Sequence, residues 1–329
     1  MNDKLSAECE LFAQNRQDIG KAFKWEMEME AAAAALVFTN AGVNADIEKM
    51  KECRKILEKK TGAFSSFRSS CMLFVLSKMA LSDSPEKYLD EIIELYDKIK
   101  KGTVFDNGYM VLAACILSEH GGQQETDVVI EKYKEIHKLL DKKHPIMSSS
   151  ADIPFEMQMA LCGKDIKVME DEIEHCTEVL KKDFKWDKTA IYRLAHALVL
   201  TDGSMDDKCR QVLDIYNAFK DRGVKYSKDS AFTSLAALTG LDIGTDELAD
   251  EILAADKLLA EHKGFSGWSM DSKHRLMFAA SLAANVFDKN SDDTGAVLGN
   301  SLAIILAEEI AVTVMMTLMM TSAATASSN

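Results

Sequence analysis

Proline is almost missing from this chain, with 3 residues in 329, at positions 85, 145 and 154. Proline breaks helices and interrupts sheet ladders, so its scarcity leaves long stretches free to be helical. β-branched runs are also few, which argues against strands. Aromatic residues make up only 7%, too few for the stacked platforms of a sugar-binding cleft. Basic side chains are outnumbered 39 to 53, a net charge of −14, which excludes wrapping of nucleic acid because phosphate binding needs a basic surface. The opening Met1–Glu10 is charged and has no apolar h-region, so no secretory leader is expected. The 7 cysteines are odd in number and include no C-x-x-C pair. They read as small buried hydrophobes of a cytoplasmic, reducing compartment. No phosphate-loop, dinucleotide, G-x-S-x-G or Cys–His nucleophile signature is present. No catalytic residue, cofactor or metal is therefore expected.

What is present is repetition. A helical pattern recurs with an apolar anchor near its end at Ile19, Leu57, Ile99, Leu140, Leu180, Phe219 and Leu259, at intervals of 38, 42, 41, 40, 39 and 40 residues. A large apolar residue follows each anchor at Trp25, Phe64, Phe105, Met147, Trp186, Tyr226 and Phe265. Near most of these stands a short polar residue suited to capping a helix start: Ser65, Asp106, Ser150 or Asp152, Asp187, Ser227 and Asp271. Each unit reads as an amphipathic, charged helix, a connector, then a more apolar helix rich in small residues. Tyr88–Ile99 is typical of the first kind, and Met110–Leu117, Leu194–Leu200 and Phe232–Leu238 of the second. Glycine and polar breaks, among them Gly42, Ser84-Pro85, Gly121-Gly122, Gly163, Gly203, Gly240 and Asp288–Asp293, separate the units.

Hairpins that cannot bury both faces alone stack on their neighbours. The expected fold is therefore all-α, an α-solenoid of about seven helical hairpins with a period of about 40 residues. They fall near 5–41, 46–81, 85–119, 126–162, 165–201, 206–240 and 245–287, in a single domain over 1–295. Residues 296–329 are expected to form a C-terminal apolar helix and a frayed end. From Thr294 to Asn329 the only charged side chains are Glu308 and Glu309. Two carboxylates within Leu302–Met320, without a flanking basic residue, weigh against a membrane span, each costing about 3 kcal/mol at its centre. Glu309, Thr313, Thr317 and Thr321 form a polar stripe at i, i+4 spacing, the pattern of a helix buried on most sides. Capping of the last hairpin and a homodimer through this helix are the expected outcomes, with membrane contact the lesser one.

The stretch His144–Phe155, the opening Phe12-Ala13-Gln14-Asn15 with Phe23-Lys24-Trp25, and the helix ending Glu94–Lys100 resemble a bacterial family of unknown function, the four-thousand-and-third domain so named. The resemblance covers nearly the whole chain. It implies a helical bacterial protein and transfers no activity and no catalytic residue.

One connector differs from the rest. His144–Phe155 holds two of the three prolines and the run Ser148-Ser149-Ser150. Capping explains much of it, with Ser150 or Asp152 as cap and Pro154 in the first turn. As a binding site, the candidates are His144, Ser148, Ser149, Ser150, Asp152 and the histidine of an apolar helix, His196. Two groups with metal-like donors, His137/Asp141/His144 and Asp171/His175/Cys176, match no zinc spacing. The expected function is a scaffold that binds a protein or peptide in a groove lined by the apolar helices, with no nucleic acid. The alternatives are an enzyme with its site near the 144–155 connector and a membrane-associated adaptor using the C-terminal helix.

Overall fold

A computed structural model describes residues 1–24, 26, 28–101, 107–120, 126–185, 188–226, 230–267, 269–288, 308, 310–314 and 316–317. Trp25, Phe105, Asp106, Gly121, Gly122, Trp186, Asp187, Ser227, Trp268, the break after Asp288 and most of 296–329 lie outside the described residues. The described chain is all-helical and has no strand. In order come α1 (Asp3–Ala22), α2 (Glu28–Asn40), α3 (Ile47–Lys60), α4 (Met72–Leu81), α5 (Pro85–Lys100), α6 (Gly108–His120) and α7 (Thr126–Lys143). Then follow α8 (Ile153–Leu161), α9 (Ile166–Leu180), α10 (Lys188–Val199), α11 (Met205–Asp221), a 3-10 helix (Ser230–Leu238), α12 (Thr245–Glu261) and α13 (Ser272–Phe287).

These elements alternate in character because their sequences do. In α5, Pro85 stands in the first turn and only Leu89, Ile92, Leu95, Tyr96 and Ile99 are buried, a single stripe at helical spacing. In α2 every residue from Glu30 to Thr39 is buried, including the run Ala31–Ala35, whose small side chains let neighbouring helices approach. The other stripe-faced helices are α1, α3, α7, α9, α11 and α12. Those buried nearly all round are α4, α6, α8, α10, the 3-10 helix and α13. Each stripe-faced helix packs on the buried helix that follows it, and α2 packs on α4, α6 on α8, α10 on the 3-10 helix and the 3-10 helix on α13. All seven apolar anchors are buried, from Ile19 at 0% exposure to Leu140 at 2%. Truncating one to alanine removes that packing, a change that costs about 2–5 kcal/mol in cores of this kind.

The first helix meets the last two delimited ones. Helix α1 packs on α12 and α13. Phe12 lies with its ring 5.4 Å from Phe265 and 5.1 Å from Phe278. The Arg16 guanidinium sits 4.6 Å over the Phe265 ring. Gly264, at φ +95°, makes room for it: a Cβ there would lie 1.9 Å from Arg16 Nη1. The backbone N–H of Asn2 donates to Glu251 of α12 at 2.6 Å.

An ion-pair pattern runs along the stripe-faced helices. Three residues after its anchor, Lys60 of α3 meets Glu86 and Asp90 of α5, at 3.1 and 2.6 Å. Lys143 of α7, also three residues after its anchor, meets Glu170 and Glu174 of α9, about one turn further along. Arg222, which caps the C-terminus of α11, meets Asp246 and Asp250 of α12, at 3.0 and 2.5 Å. His262, three residues after the last anchor, lies 3.3 Å from Glu10 of α1. The last stripe-faced helix thus contacts the first in the register used between sequence neighbours.

Several local expectations are corrected. Phe64 is fully exposed, and Phe67 at 2% exposure is the buried aromatic of that connector. Ser65 caps the short 3-10 turn Ser66–Arg68 that carries Phe67 inward. The stretch Phe232–Leu238 belongs to a 3-10 rather than an α-helix. There the Ser234 and Thr239 hydroxyls each donate to the carbonyl three residues back, at 2.6 and 2.8 Å, matching the tighter 3-10 turn. Cys162 is exposed while the other six cysteines are buried, and all seven are free thiols. No described helix is long and apolar enough to cross a membrane. Of residues 296–329 the structure delimits no apolar helix; the few described positions have helical backbone.

Candidate functional site

Two polar clusters interrupt the apolar interior. The first is built on the irregular connector. Helix α7 ends as His144 N donates to Leu140 O at 2.9 Å, and the chain turns through Pro145 and Ile146. Ser149, not Ser150 or Asp152, is the cap. Its Oγ accepts from Ala151 N at 3.2 Å, while its own N–H donates to Asp152 Oδ2 at 2.7 Å, a reciprocal capping box. The shift arises because a 3-10 turn, Ser150–Asp152, precedes α8 and places Asp152 at its end. Pro154 sits in the first turn of α8, where its missing N–H leaves nothing unpaired.

Arg193 of α10 locks this box. Its Nε donates to Asp152 Oδ1 and its Nη2 to Ser149 Oγ, both at 3.0 Å. Asp152 is 1% and Arg193 7% exposed. One turn along α8, Glu156 is fully enclosed and its Oε2 lies 2.8 Å from His137 Nδ1. Burial pushes the Glu156 carboxyl above its ordinary range, against the pull of His137. The bond to Glu156 raises His137, more than burial lowers it. His137 also stacks on Tyr133, with ring centroids 5.9 Å apart.

A ring stack completes the cluster. His144 and His196 flank Tyr192, with centroids 4.8 and 4.3 Å away. His196 is 0% exposed, and burial pushes its imidazole down to about 4, so it is neutral at pH 7. Neither of its ring nitrogens, nor the Tyr192 hydroxyl, nor His144 Nε2, has a hydrogen-bond partner.

Of the six candidates read from sequence, the structure joins Ser149 to Asp152 directly and His144 to His196 through Tyr192. Ser148 Oγ donates to Leu140 O at 3.4 Å, and Ser150 is exposed. Sequence reasoning missed Arg193, Tyr192 and Glu156, and named His137 only as a metal-like donor beside Asp141 and His144. The first three were detectable by the same signal that picked out His196, a polar or ionisable residue inside an apolar helix. The Ser149 oxygen accepts from two donors and Asp152 is spent on Arg193, which is the reverse of a serine activated by a base. Among the described residues no three His, Cys, Asp or Glu side chains gather to hold a metal. His175 turns instead to Asp206, 2.6 Å away.

The second cluster lies where α2, α4, α6 and α13 end, and it holds the C-terminal stretch. Lys78 Nζ is 2.7 Å from Glu308 Oε1 and 2.8 Å from Glu119 Oε2. Asn40 donates to Glu308 Oε2 at 2.6 Å and accepts from Asn285 at 2.5 Å. Tyr88 donates to the other Glu119 oxygen at 2.7 Å. Burial opposes the Lys78 charge, but the carboxylates of Glu308 and Glu119 more than offset it and hold the ammonium above the ordinary lysine range. At the far end, Thr317 Oγ1 is 2.9 Å from the Tyr109 hydroxyl. A Cβ on Gly108 would lie 2.6 Å from the Met316 methyl, so the start of α6 is cut back where the stretch passes. Between these ends Ile310, Ala311, Val312 and Val314 are at most 2% exposed.

No curated protein and no solved structure was found to match the chain. A family model does, over residues 15–316. With that match covering most of its length, the chain belongs to the family described as "Protein of unknown function (DUF4003)".

Proposed function

We propose that this protein is a cytoplasmic helical-repeat scaffold, a ring of seven stacked hairpins whose buried helices hold a helical segment of a protein or peptide. The observation that carries this reading is the second polar cluster. Two buried helices each place a donor near their C-terminal end on one carboxylate of a distant segment, Lys78 of α4 and Asn40 of α2 on Glu308, and Glu119 and Asn285 engage those donors in turn. The recurring ion pairs from Lys60 to His262 and the packing of α1 on α12 support the ring. The burial of Ile310–Val314 inside their own chain weighs against the same surface serving a homodimer or a bilayer in this state. The spent Ser149 and Asp152 weigh against the enzyme alternative at the 144–155 connector.

The test is exchange. A protease site is inserted between Asn290 and Ser291 of the full chain, and the purified protein is cut. The C-terminal fragment is expected to remain bound through gel filtration and then to be displaced by excess synthetic peptide of its own sequence. A fragment that leaves only when the body unfolds is ordinary core, and that result overturns the proposal.

A further inference from the structure

We infer that the partner this scaffold takes is a largely apolar helical segment that presents a carboxylate and, nine residues later, a hydroxyl; the inference rests on the helix-holding reading above. Residues 308–317 are the resident example. Glu308 shares Lys78 with Glu119, near the end of α6, and Thr317 lies beside Tyr109, near its start. The stretch therefore runs antiparallel to α6. Ten residues separate 109 from 119 and nine separate 308 from 317, so at 1.5 Å per residue the two spans differ by about one rise. Nine steps of about 100° also leave Glu308 and Thr317 on opposite sides of a helix. Lys78 and Asn40 hold one end and Tyr109 the other.

The carboxylate end is selective for a physical reason. The C-terminus of a helix carries partial negative charge and repels an anion. Asn40 is the last residue of α2, Lys78 lies in the last turn of α4, and Glu119 and Asn285 lie near the ends of α6 and α13. A carboxylate is held here only because Lys78 and Asn40 aim donors at it. A partner without it leaves Asn40 Nδ2 unpaired and Lys78 with Glu119 alone. A partner with lysine there meets Lys78 directly. The opposite end asks for less, one hydroxyl for Tyr109 and a slim side chain over Gly108. Between the ends the described positions Ile310–Val314 are buried and mostly apolar, so the partner must be apolar there and small in places, as Ala311 is at 0% exposure.

The experiment uses the full chain with its resident segment weakened by Glu308→Ala and Thr317→Val, and a milder Glu308→Gln chain in case the first folds poorly. Circular dichroism checks both. The probe is a fluorescein-labelled peptide of residues 304–321 with added terminal lysines, followed by anisotropy. Saturable binding is expected, at least tenfold weaker for the peptide carrying Glu308→Ala. A further Lys78→Met change in the protein is expected to erase the difference between the peptides. If both peptides bind equally to the Lys78 protein, the recognition rule is wrong and the scaffold reading stands. If neither peptide binds either folded chain, both are wrong.

Discussion

Glu30 should make the stability of this protein fall as pH rises through neutrality. The residue sits in the first turn of α2, 7% exposed, and its Oε2 has no hydrogen-bond partner. Burial first, and the Glu26 charge second, push its carboxyl from 4.5 up to about 8. Between those values the folded chain keeps a proton that the unfolded chain has released. Folding then binds more protons than unfolding, so stability falls with rising pH. The contribution is whole below about pH 4.5 and is lost as pH climbs through about 8. A gap of about 3.5 pH units at 1.36 kcal/mol each corresponds to about 5 kcal/mol across the window. Glu30→Gln cannot ionise and keeps the shape. Urea unfolding followed by circular dichroism at pH 5, 6, 7 and 8 reads the difference between the two proteins. Their midpoints should nearly coincide at pH 5 and separate steadily, with the variant more stable at pH 8. Glu8, raised to about 7 mainly by burial, adds a slope of the same sign to both proteins and cancels in the comparison. A gap between variant and parent that stays constant over the whole range refutes the reasoning.

Arg193→Met leaves Asp152 buried without its cation and should cost about 3–5 kcal/mol, while Ser149→Ala, which removes the cap and one of the two Arg193 bonds but leaves the Arg193–Asp152 pair, should cost about 1–2 kcal/mol; thermal melts of the two variants rank them, and equal losses would place the energy in the cap. In proton NMR, the His137 ring should titrate above the ordinary histidine value and return toward it in Glu156→Gln, since the bond to Glu156 is the largest cause of its rise. Thr313→Val should stabilise the protein by about 1 kcal/mol or more, because the Thr313 hydroxyl is buried without a partner and valine has the same shape; a loss in the unfolding midpoint would mean the hydroxyl is satisfied in solution.

Helical class and the buried anchors were legible because both depend on residues a few positions apart. An apolar residue every 38–42 positions, flanked by a charged stripe, has one way to avoid water. The legibility fails at two physical scales. At the finest, a single 3-10 turn moves the cap from Ser150 to Ser149, and another brings Phe67 inward in place of Phe64. Propensity cannot tell such turns from the start of an α-helix. At the longest, the pairing of Lys78 with Glu308 spans 230 positions, and neither residue carries a mark of the other. Glu308 and Glu309 stood out only as charges in an apolar tail. What Glu308 pairs with depended on four helices converging in space. The site candidates fall between these scales. His196 was noticed as a polar residue in an apolar run, and the same test applied three and four residues earlier would have found Arg193 and Tyr192.

The contact between the ends changes what each of these energies means. In an open array, every hairpin touches only its neighbours, and stability is a sum of local terms that frays from the ends. Here α1 presses Phe12 between Phe265 and Phe278, and Arg16 covers Phe265 from a pocket that Gly264 leaves open. The exposed ion pairs beside this seam are each worth at most about 1 kcal/mol and could not hold it. The buried rings supply the larger share, since aromatic side chains bury the most surface per residue. Asn285 of the last helix then orients Asn40 of the second, and Asn40 holds Glu308. The grip on the C-terminal segment therefore depends on the seam: separating α13 from α2 removes the partner that fixes Asn40. Loss of the segment, in turn, unpairs polar groups on α2 and α4. Opening of the seam and release of the segment are coupled through these two asparagines, and each becomes easier once the other has happened.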